Sequence, residues 1–142
     1  MIYLDTGCLV KLYYPEPDSH LVAARVAGKV VCFSPLHELE FTNALHQKMF
    51  HGHATLPQVQ AAKALVAADL TSGVLRKESV SWDDAYQKAV VLTESHTANI
   101  GCRSLDILHC ALAREIGARD FISTDARQIR LATAMGLPFS PL

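Results

Sequence analysis

The chain has 142 residues, of which 50% are hydrophobic and 19% are charged, values typical of one globular domain spanning residues 1–142. Its formal net charge of −1 lacks the basic excess of many nucleic-acid-binding domains, although a bound metal ion can supply positive charge locally. No apolar run approaches the length of a membrane span, and Asp5 follows the start with no basic stretch before it. We therefore expect a cytoplasmic protein with no signal peptide and no membrane association.

Short runs rich in β-forming residues alternate along the chain with longer helical patterns. Capping residues mark several boundaries: Ser34-Pro35 is a serine N-cap followed by proline at the first helical position, and Gly117 follows a helix. In chain order the pattern predicts a strand at 2–4, a strand at 29–33, a helix from 35 to about 50, a helix from 55 to about 70, a strand at 74–80, a helix from 82 to about 96, a helix at 105–116, a strand at 120–123, a helix at 127–135 and a short edge strand at 137–139. Strands separated by helical crossovers indicate a mostly parallel sheet with helices on both faces. We therefore predict an α/β fold, a single three-layer domain with four to five strands.

Two aspartates come directly after predicted strands. Asp5 follows the first strand and Asp125 follows the fourth, and ligands bind beyond the carboxyl ends of the strands in an open parallel sheet. If these strands are neighbours, the two carboxylates meet at one edge. Asp106 lies in the first turn of the helix before the fourth strand and can point to the same end. Each acid has a structural alternative (a turn, a helix cap or a charge at a helix N-terminus), but the three together favour a functional site.

The helix predicted at 35–50 supplies a fourth carboxylate. At about 100° per residue, Glu40 shares an arc with apolar side chains, where a carboxylate is costly unless it is paired or coordinates a ligand. Asn43 lies three residues further along the same face and can donate a hydrogen bond to it. Glu38 points about 160° away. The pattern favours Glu40 over Glu38 only modestly, since this helix is apolar on more than one side.

Clustered carboxylates suit a hard divalent cation, because Mg²⁺ prefers oxygen ligands in near-octahedral geometry and keeps some of its water. The acids repel one another, and a divalent cation relieves that repulsion. One or two ions in such a cluster lower the pKa of a water molecule, orient it toward a phosphodiester and stabilise the leaving oxygen. The pattern therefore points to metal-dependent phosphodiester hydrolysis.

Four segments of the sequence carry a resemblance to a known family. They are Tyr3-Leu4-Asp5-Thr6 followed by Leu9-Val10-Lys11-Leu12-Tyr13, then Leu36-His37-Glu38-Leu39-Glu40-Phe41-Thr42-Asn43-Ala44-Leu45, then Arg103-Ser104-Leu105-Asp106-Ile107-Leu108-His109, and finally Ser123-Thr124-Asp125. In this order they resemble PIN-domain nucleases, and more narrowly the VapC-type toxins of bacterial toxin–antitoxin pairs. The resemblance implies a PIN-like domain whose twisted parallel sheet places the strands ending at Asp5 and Asp125 side by side. It also implies a ribonuclease that uses Mg²⁺ or Mn²⁺ to hydrolyse single-stranded or looped RNA.

By the same resemblance the four acids form the catalytic and metal-binding set. Asp5 and Asp106 are implied as metal ligands, Glu40 as a ligand of a second ion or the residue that orients water, and Asp125 as a ligand through water. Gly7 departs from the small hydroxyl residue often found after Asp-Thr in this family. That departure costs about one hydrogen bond near the site and leaves the acidic set complete.

Other polar residues near these motifs are weaker candidates. Three are expected to orient the carboxylates as supporting residues: Thr6, Asn43 and Ser123. Four are candidate contacts to RNA phosphates, with solvated surface charge as the alternative: Lys11, Arg103, Arg127 and Arg130. His109 lies three residues after Asp106 on the same helix face, and we predict a semi-buried histidine with satisfied hydrogen bonds in preference to a residue of the site.

Two other enzyme classes also begin with an aspartate after the first strand. Phosphatases of the haloacid-dehalogenase type need a second acid two residues later, where this chain has Gly7, and receiver domains need an acidic pair there. The remaining alternative is a non-catalytic PIN-like module that binds RNA or protein, although such modules usually lose acids.

The resemblance also implies partners. A small antitoxin is expected to cover the apolar helices on the amino-terminal side and to insert a basic residue into the acidic pocket. We expect a homodimer as well, because the helix with Phe41, Leu45 and Met49 has apolar residues beyond one face.

Overall fold

The computed structural model describes residues 1–140 and 142. In this part of the chain the elements are β1 (Ile2–Leu4), α1 (Thr6–Tyr13), α2 (Ser19–Val26), β2 (Val31–Cys32), α3 (Pro35–Phe50), α4 (Leu56–Ser72), β3 (Leu75–Arg76), α5 (Trp82–Ile100), α6 (Ser104–Glu115), β4 (Asp120–Ile122) and α7 (Ala126–Ala134). None of these helices combines the length and the apolar character needed to cross a bilayer.

The strands of the described residues form one parallel sheet in the order β3-β2-β1-β4. In the pair of β1 and β4, Ile2 lies opposite Asp120 and Leu4 lies opposite Ile122. Both strands therefore end at the same level, which makes Asp5 and Ser123 neighbours. The predicted α/β class and the adjacency of these two strands are confirmed.

Helices cover both faces of the sheet, because successive side chains of a strand point to opposite faces. Tyr3 packs into one core cluster with α5, α6 and α7, whereas Ile2 and Leu4 pack into a second cluster with α1, α3 and α4. Helix α6 is the most enclosed, since its residues 107–113 are all buried. The three-layer arrangement follows from this alternation.

The sequence pattern does not predict α1 and α2. Helix α1 begins directly after β1 because the Asp5 side chain caps it, accepting a hydrogen bond from the backbone N–H of Cys8 (2.6 Å). Each of these helices has eight residues, too few for a clear helical period. Packing of the buried Leu9 and Val10 against the sheet stabilises α1 instead.

The strands are shorter than predicted. β2 and β3 span two residues each, not 29–33 and 74–80, because β3 is an edge strand that pairs only with β2. Phe139 makes a single bridge with Phe121, so the described residues contain no fifth strand at 137–139. Helix α5 runs beyond position 96 to Ile100, where Gly101 has a left-handed φ of 75° and ends it.

The apolar side of α3 faces inward. Phe41 and Leu45 are buried in the second core cluster and Met49 packs against it, so they do not form the exposed surface from which we expected a homodimer. Helices α1 and α4 cover these side chains. The dimer stays a prediction, because α3 also has apolar residues on a second side. The exposed apolar residues of α3 are Leu39 and Phe50.

Candidate active site

The carboxyl edge of the sheet brings the four predicted acids together. Asp5 and Asp125 are the N-caps of α1 and α7, Asp106 lies in the first turn of α6, and Glu40 lies in the second turn of α3. All four line one surface pocket of about 390 Å³. Acids that are up to 120 positions apart in sequence therefore share one site.

Asp5 is held from two sides. Its Oδ1 accepts the hydrogen bond from the Cys8 N–H, and its Oδ2 accepts a hydrogen bond from the Ser123 hydroxyl (2.6 Å). Ser123 Oγ in turn accepts a hydrogen bond from the backbone N–H of Asp125 (3.0 Å). One serine hydroxyl thus ties the ends of β1 and β4 together and fixes the Asp5 carboxylate.

Asp125 is both a helix cap and part of the pocket. Its Oδ1 accepts hydrogen bonds from the backbone N–H groups of Arg127 (2.8 Å) and Gln128 (3.3 Å). Its Oδ2 lies 3.5 Å from Nη2 of Arg127 and 3.9 Å from Nη2 of Arg103. Burial by itself raises the pKa of Asp125, but the backbone donors and Arg127 outweigh it and lower the pKa. Asp125 is therefore an anion at neutral pH.

Arg103 binds Asp106 in this structure. Its Nε donates to Oδ2 (2.9 Å) and its Nη2 donates to Oδ1 (3.2 Å), a two-pronged contact that balances the charge of the carboxylate. The Arg103 side chain is 70% exposed and the Asp106 side chain only 14%, so the arginine covers the acid from the solvent side. The hydrogen bond with Asp106 is also the main reason that the pKa of Arg103 is raised.

Glu40 has two donors on the same oxygen. Its Oε2 accepts a hydrogen bond from the Thr6 hydroxyl (2.6 Å) and lies 2.5 Å from Nε2 of His109. Burial raises the pKa of Glu40, yet the hydrogen bonds from His109 and Thr6 outweigh it and lower the pKa. Asn43, which we expected to donate to Glu40, is exposed and makes no side-chain hydrogen bond within the described residues.

Two buried histidines, His37 and His109, lie on the protein side of the pocket. His109 is 2% exposed and lines the pocket, so it is both a buried histidine with satisfied hydrogen bonds and a neighbour of Glu40. His37 is fully buried; its Nε2 donates to the Leu4 carbonyl (2.8 Å) and its Nδ1 accepts from the Ser34 N–H (3.0 Å). Burial lowers the pKa of His37 to about 3, so its ring is neutral.

The predicted phosphate contacts separate into two groups. Arg103 lines the acidic pocket, and Arg127 lies at its rim beside Asp125. Lys11 does not line this pocket; it pairs with Asp18 at 2.5 Å on another part of the surface. Its placement follows from α1, whose first residue is at the site and whose last turn points away from it.

The donor set suits a divalent cation, although the described residues contain no group of three acidic, histidine or cysteine side chains close enough to enclose one in this arrangement. Four carboxylates line the pocket, and within the described chain no hydrogen bond occupies Oε1 of Glu40. Carboxylate oxygens are the ligands that Mg²⁺ and Mn²⁺ prefer. Because Arg103 binds both oxygens of Asp106, the guanidinium would compete with an ion for that acid.

Known proteins share this sequence pattern and this fold. The family model described as the PIN domain matches residues 2–134. No curated protein matches the sequence. Among solved structures, VapC20 of Mycobacterium tuberculosis, a toxin that cleaves the sarcin–ricin loop, superimposes with a TM-score of 0.69 at 21% identity, over 92% of this chain and 94% of that chain.

Two further solved structures have the same fold at lower identity. VapBC2 of Rickettsia felis, bound to a DNA fragment from its promoter, superimposes with a TM-score of 0.66 at 15% identity, over 99% of this chain and 98% of that chain. FitAcB of Neisseria gonorrhoeae gives a TM-score of 0.62 at 14% identity, over 98% and 96%. The family model covers nearly the whole chain and the fold agrees with it, so this chain belongs to the PIN domain family.

Proposed function

We propose that this chain is a divalent-metal-dependent endoribonuclease and the toxin of a toxin–antitoxin pair. The observation that carries the proposal is the convergence of Asp5, Glu40, Asp106 and Asp125 on one pocket in a PIN domain. Nucleases of this family generally use divalent metal ions. A pocket with four carboxylates is costly to assemble unless cations balance the charge.

Each residue of the pocket has a distinct task in this proposal. Asp5 and Asp106 would hold Mg²⁺ or Mn²⁺ directly, and Asp125 would do so through water. Glu40 would bind a second ion or orient the water. The bound ion supplies a water of lowered pKa and positive charge for the phosphate. Glu40 has Oε1 free to accept a hydrogen bond from the attacking water. Arg103, when it leaves Asp106, is a cation at the mouth of the pocket that can contact a substrate phosphate.

The substrate and partner classes rest on the relatives. VapC20 is a toxin that cleaves the sarcin–ricin loop. VapBC2 and FitAcB are antitoxin–toxin complexes, and one chain of each has the fold of this chain. We therefore propose single-stranded or looped RNA as the substrate and a small antitoxin as the partner. A basic antitoxin side chain would compete with Arg103 and with the ion for the same carboxylates, which would block the site.

Cleavage by the purified chain, free of partners, tests the nuclease proposal. The panel contains single-stranded and stem–loop RNAs, among them the sarcin–ricin loop, with Mg²⁺ or Mn²⁺ against a chelator. Asp5→Asn and Asp106→Asn should abolish cleavage, and Asp83→Asn is the matched control because Asp83 is an exposed acid of α5 outside the pocket. Cleavage that survives the chelator or both pocket variants would contradict the assignment.

The second candidate is a PIN domain that binds RNA or protein without catalysis. The contact between Arg103 and Asp106 favours it, since an internal cation already balances one of the acids. No cleavage of any RNA in the panel, together with no binding of Mn²⁺ by calorimetry, would support this candidate instead.

A homodimer is also part of the proposal, now on a different surface. Helix α5 exposes Tyr86, Val90 and Val91, which are 56%, 58% and 60% exposed. Tyr86 and Val90 are four positions apart and form a continuous apolar strip. Light scattering should give twice the mass of one chain, and Val90→Lys should shift it to the monomer mass; a monomeric wild type would refute the dimer.

A further inference from the structure

A buried chain of hydrogen bonds leads from the sheet to Glu40. The Tyr3 hydroxyl lies 2.8 Å from Nδ1 of His109, and Nε2 of His109 lies 2.5 Å from Oε2 of Glu40. Tyr3 is 0% exposed and His109 is 2% exposed, so water does not compete for these contacts. This series of hydrogen bonds ends at the pocket, which Glu40 lines with a side chain that is 24% exposed.

The direction of each hydrogen bond follows from the donors and acceptors. An ionised carboxylate only accepts, so Nε2 of His109 carries the proton that it donates to Glu40. In the neutral ring Nδ1 is then an acceptor, and the Tyr3 hydroxyl donates to it. Tyr3 thereby selects the tautomer of His109 and the orientation of its ring.

The neighbouring histidine cannot take over either contact. The His37 ring lies 5.1 Å from the His109 ring and 4.8 Å from the Tyr3 ring, centroid to centroid. Both of its nitrogens are already committed, one to the Leu4 carbonyl and the other to Ser34. His37 therefore limits the space in which the His109 ring can turn.

The two donors to Glu40 leave its two oxygens unequal. Thr6 and His109 both bind Oε2, whereas within the described residues no hydrogen bond holds Oε1. We propose that His109, oriented by Tyr3, is a positioning residue that fixes the Glu40 carboxylate so that Oε1 is the oxygen available to the ion or the attacking water. This inference rests on the proposed nuclease function and adds to its four acids two residues that act through Glu40.

A purely structural role for His109 makes a different prediction. A histidine that only fills the core would change the stability of the fold when replaced, and leave the turnover and the metal affinity of the folded fraction unchanged. A positioning residue changes kcat and metal affinity while the KM for RNA stays nearly constant. Partners of this kind typically contribute 10- to 100-fold to metal affinity or activity.

Three variants separate these roles. His109→Leu removes the contacts of both ring nitrogens, including the one between Nε2 and the Thr6 hydroxyl (3.1 Å). His109→Gln keeps an N–H donor near the position of Nε2, and Tyr3→Phe removes only the hydroxyl. Leu112→Val is the matched control, since Leu112 is a buried residue of the same helix that does not line the pocket. Thermal unfolding in the presence of a chelator establishes that each variant is folded.

The readouts are cleavage of a labelled single-stranded RNA and calorimetric titration with Mn²⁺ alone. His109→Leu should lower kcat and weaken the Mn²⁺ affinity by about 10- to 100-fold with KM within about threefold of wild type. His109→Gln should recover at least half of that loss on a logarithmic scale, Tyr3→Phe should fall between wild type and His109→Leu, and Leu112→Val should match wild type. Equal loss in Gln and Leu variants, or no loss in either, overturns the inference.

These readouts also distinguish the inference from the proposed function. If the wild type cuts no RNA but binds Mn²⁺, the nuclease proposal fails and the Mn²⁺ titration of the same variants still tests His109. If His109→Leu does not fold, Tyr3→Phe decides, because it keeps the aromatic core and removes only the donor to Nδ1. A wild type that neither cuts RNA nor binds Mn²⁺ overturns both.

Discussion

Replacing Arg103 by glutamine removes the guanidinium that binds Asp106 and lies 3.9 Å from Asp125. In the wild type, an ion that uses Asp106 competes with this guanidinium for the same carboxylate. In Arg103→Gln the carboxylate keeps only the hydrogen bond from the backbone N–H of position 103 (3.3 Å), and the local charge is more negative. We therefore expect Arg103→Gln to bind Mn²⁺ more tightly than the wild type, although it loses a candidate contact to RNA.

The size of the effect follows from the exposure of the ion pair. Because the Arg103 side chain is 70% exposed, the pair is worth at most about 1 kcal/mol, near the upper end of the range for exposed pairs on account of its two hydrogen bonds. Since about 1.4 kcal/mol corresponds to a tenfold change in Kd, relief of the competition gives about fivefold tighter binding. The lost positive charge near Asp125 acts in the same direction and is partly screened by salt.

Calorimetric titration with Mn²⁺ in the absence of RNA, at physiological ionic strength, measures this change. Arg130→Gln is the control for a general loss of positive charge, because Arg130 lies on α7, donates to the Ile100 carbonyl (3.3 Å) and does not line the pocket. Its Kd should equal that of the wild type. A Kd for Arg103→Gln that equals or exceeds the wild-type value would refute the competition between arginine and metal.

Three further predictions concern stability. His37 has a pKa of about 3 in the folded protein and about 6.5 in the unfolded chain, so the unfolded chain binds more protons between these two pH values. Through this residue, the unfolding free energy of the wild type should fall by about 2 kcal/mol from pH 7 to pH 5. Urea titrations should show that His37→Gln loses this part of the pH dependence, and an unchanged slope would contradict a neutral buried ring. Gly7→Ser should raise the unfolding free energy by about 0.5 kcal/mol, because Gly7 lies in a helix and the atom nearest to a Cβ there, Oδ1 of Asp5, is 3.6 Å away, an ordinary van der Waals distance. A lower stability than wild type would show that the space is not free. Ser123→Ala should cost about 1–3 kcal/mol by leaving Oδ2 of Asp5 and the Asp125 N–H without a partner, with Ser123→Thr as the control; a neutral Ser123→Ala would rule out this link between the strands.

The acids of the pocket were predictable because their positions depend on local rules. Asp5 and Asp125 come just after strands, and the carboxyl ends of adjacent parallel strands meet at one edge. The helical period separates Glu40 from Glu38: Glu40 lines the pocket, whereas Glu38 is exposed and lies 3.7 Å from Lys77. The first conclusion requires one long-range contact, the pairing of β1 with β4, which the family resemblance implies; the second requires none.

The partners of these acids were harder to predict. Asn43 was expected beside Glu40 because it shares a helix face, but Thr6 donates there instead, and Thr6 reaches Glu40 only because α1 packs against α3. The sequence pattern did not reveal α1. The contact between Tyr3 and His109 joins residues 106 positions apart, which no local periodicity can indicate.

Cleavage and metal binding measured on the same sample test the central claim most directly. We would record the rate of RNA cleavage against Mn²⁺ concentration and compare its midpoint with the Kd from calorimetry, for the wild type and for Asp5→Asn. We expect the two midpoints to coincide in the wild type and Asp5→Asn to lose both binding and cleavage. Cleavage that proceeds without the ion, or binding that survives in Asp5→Asn, would contradict the assignment of this pocket as a metal-dependent nuclease site.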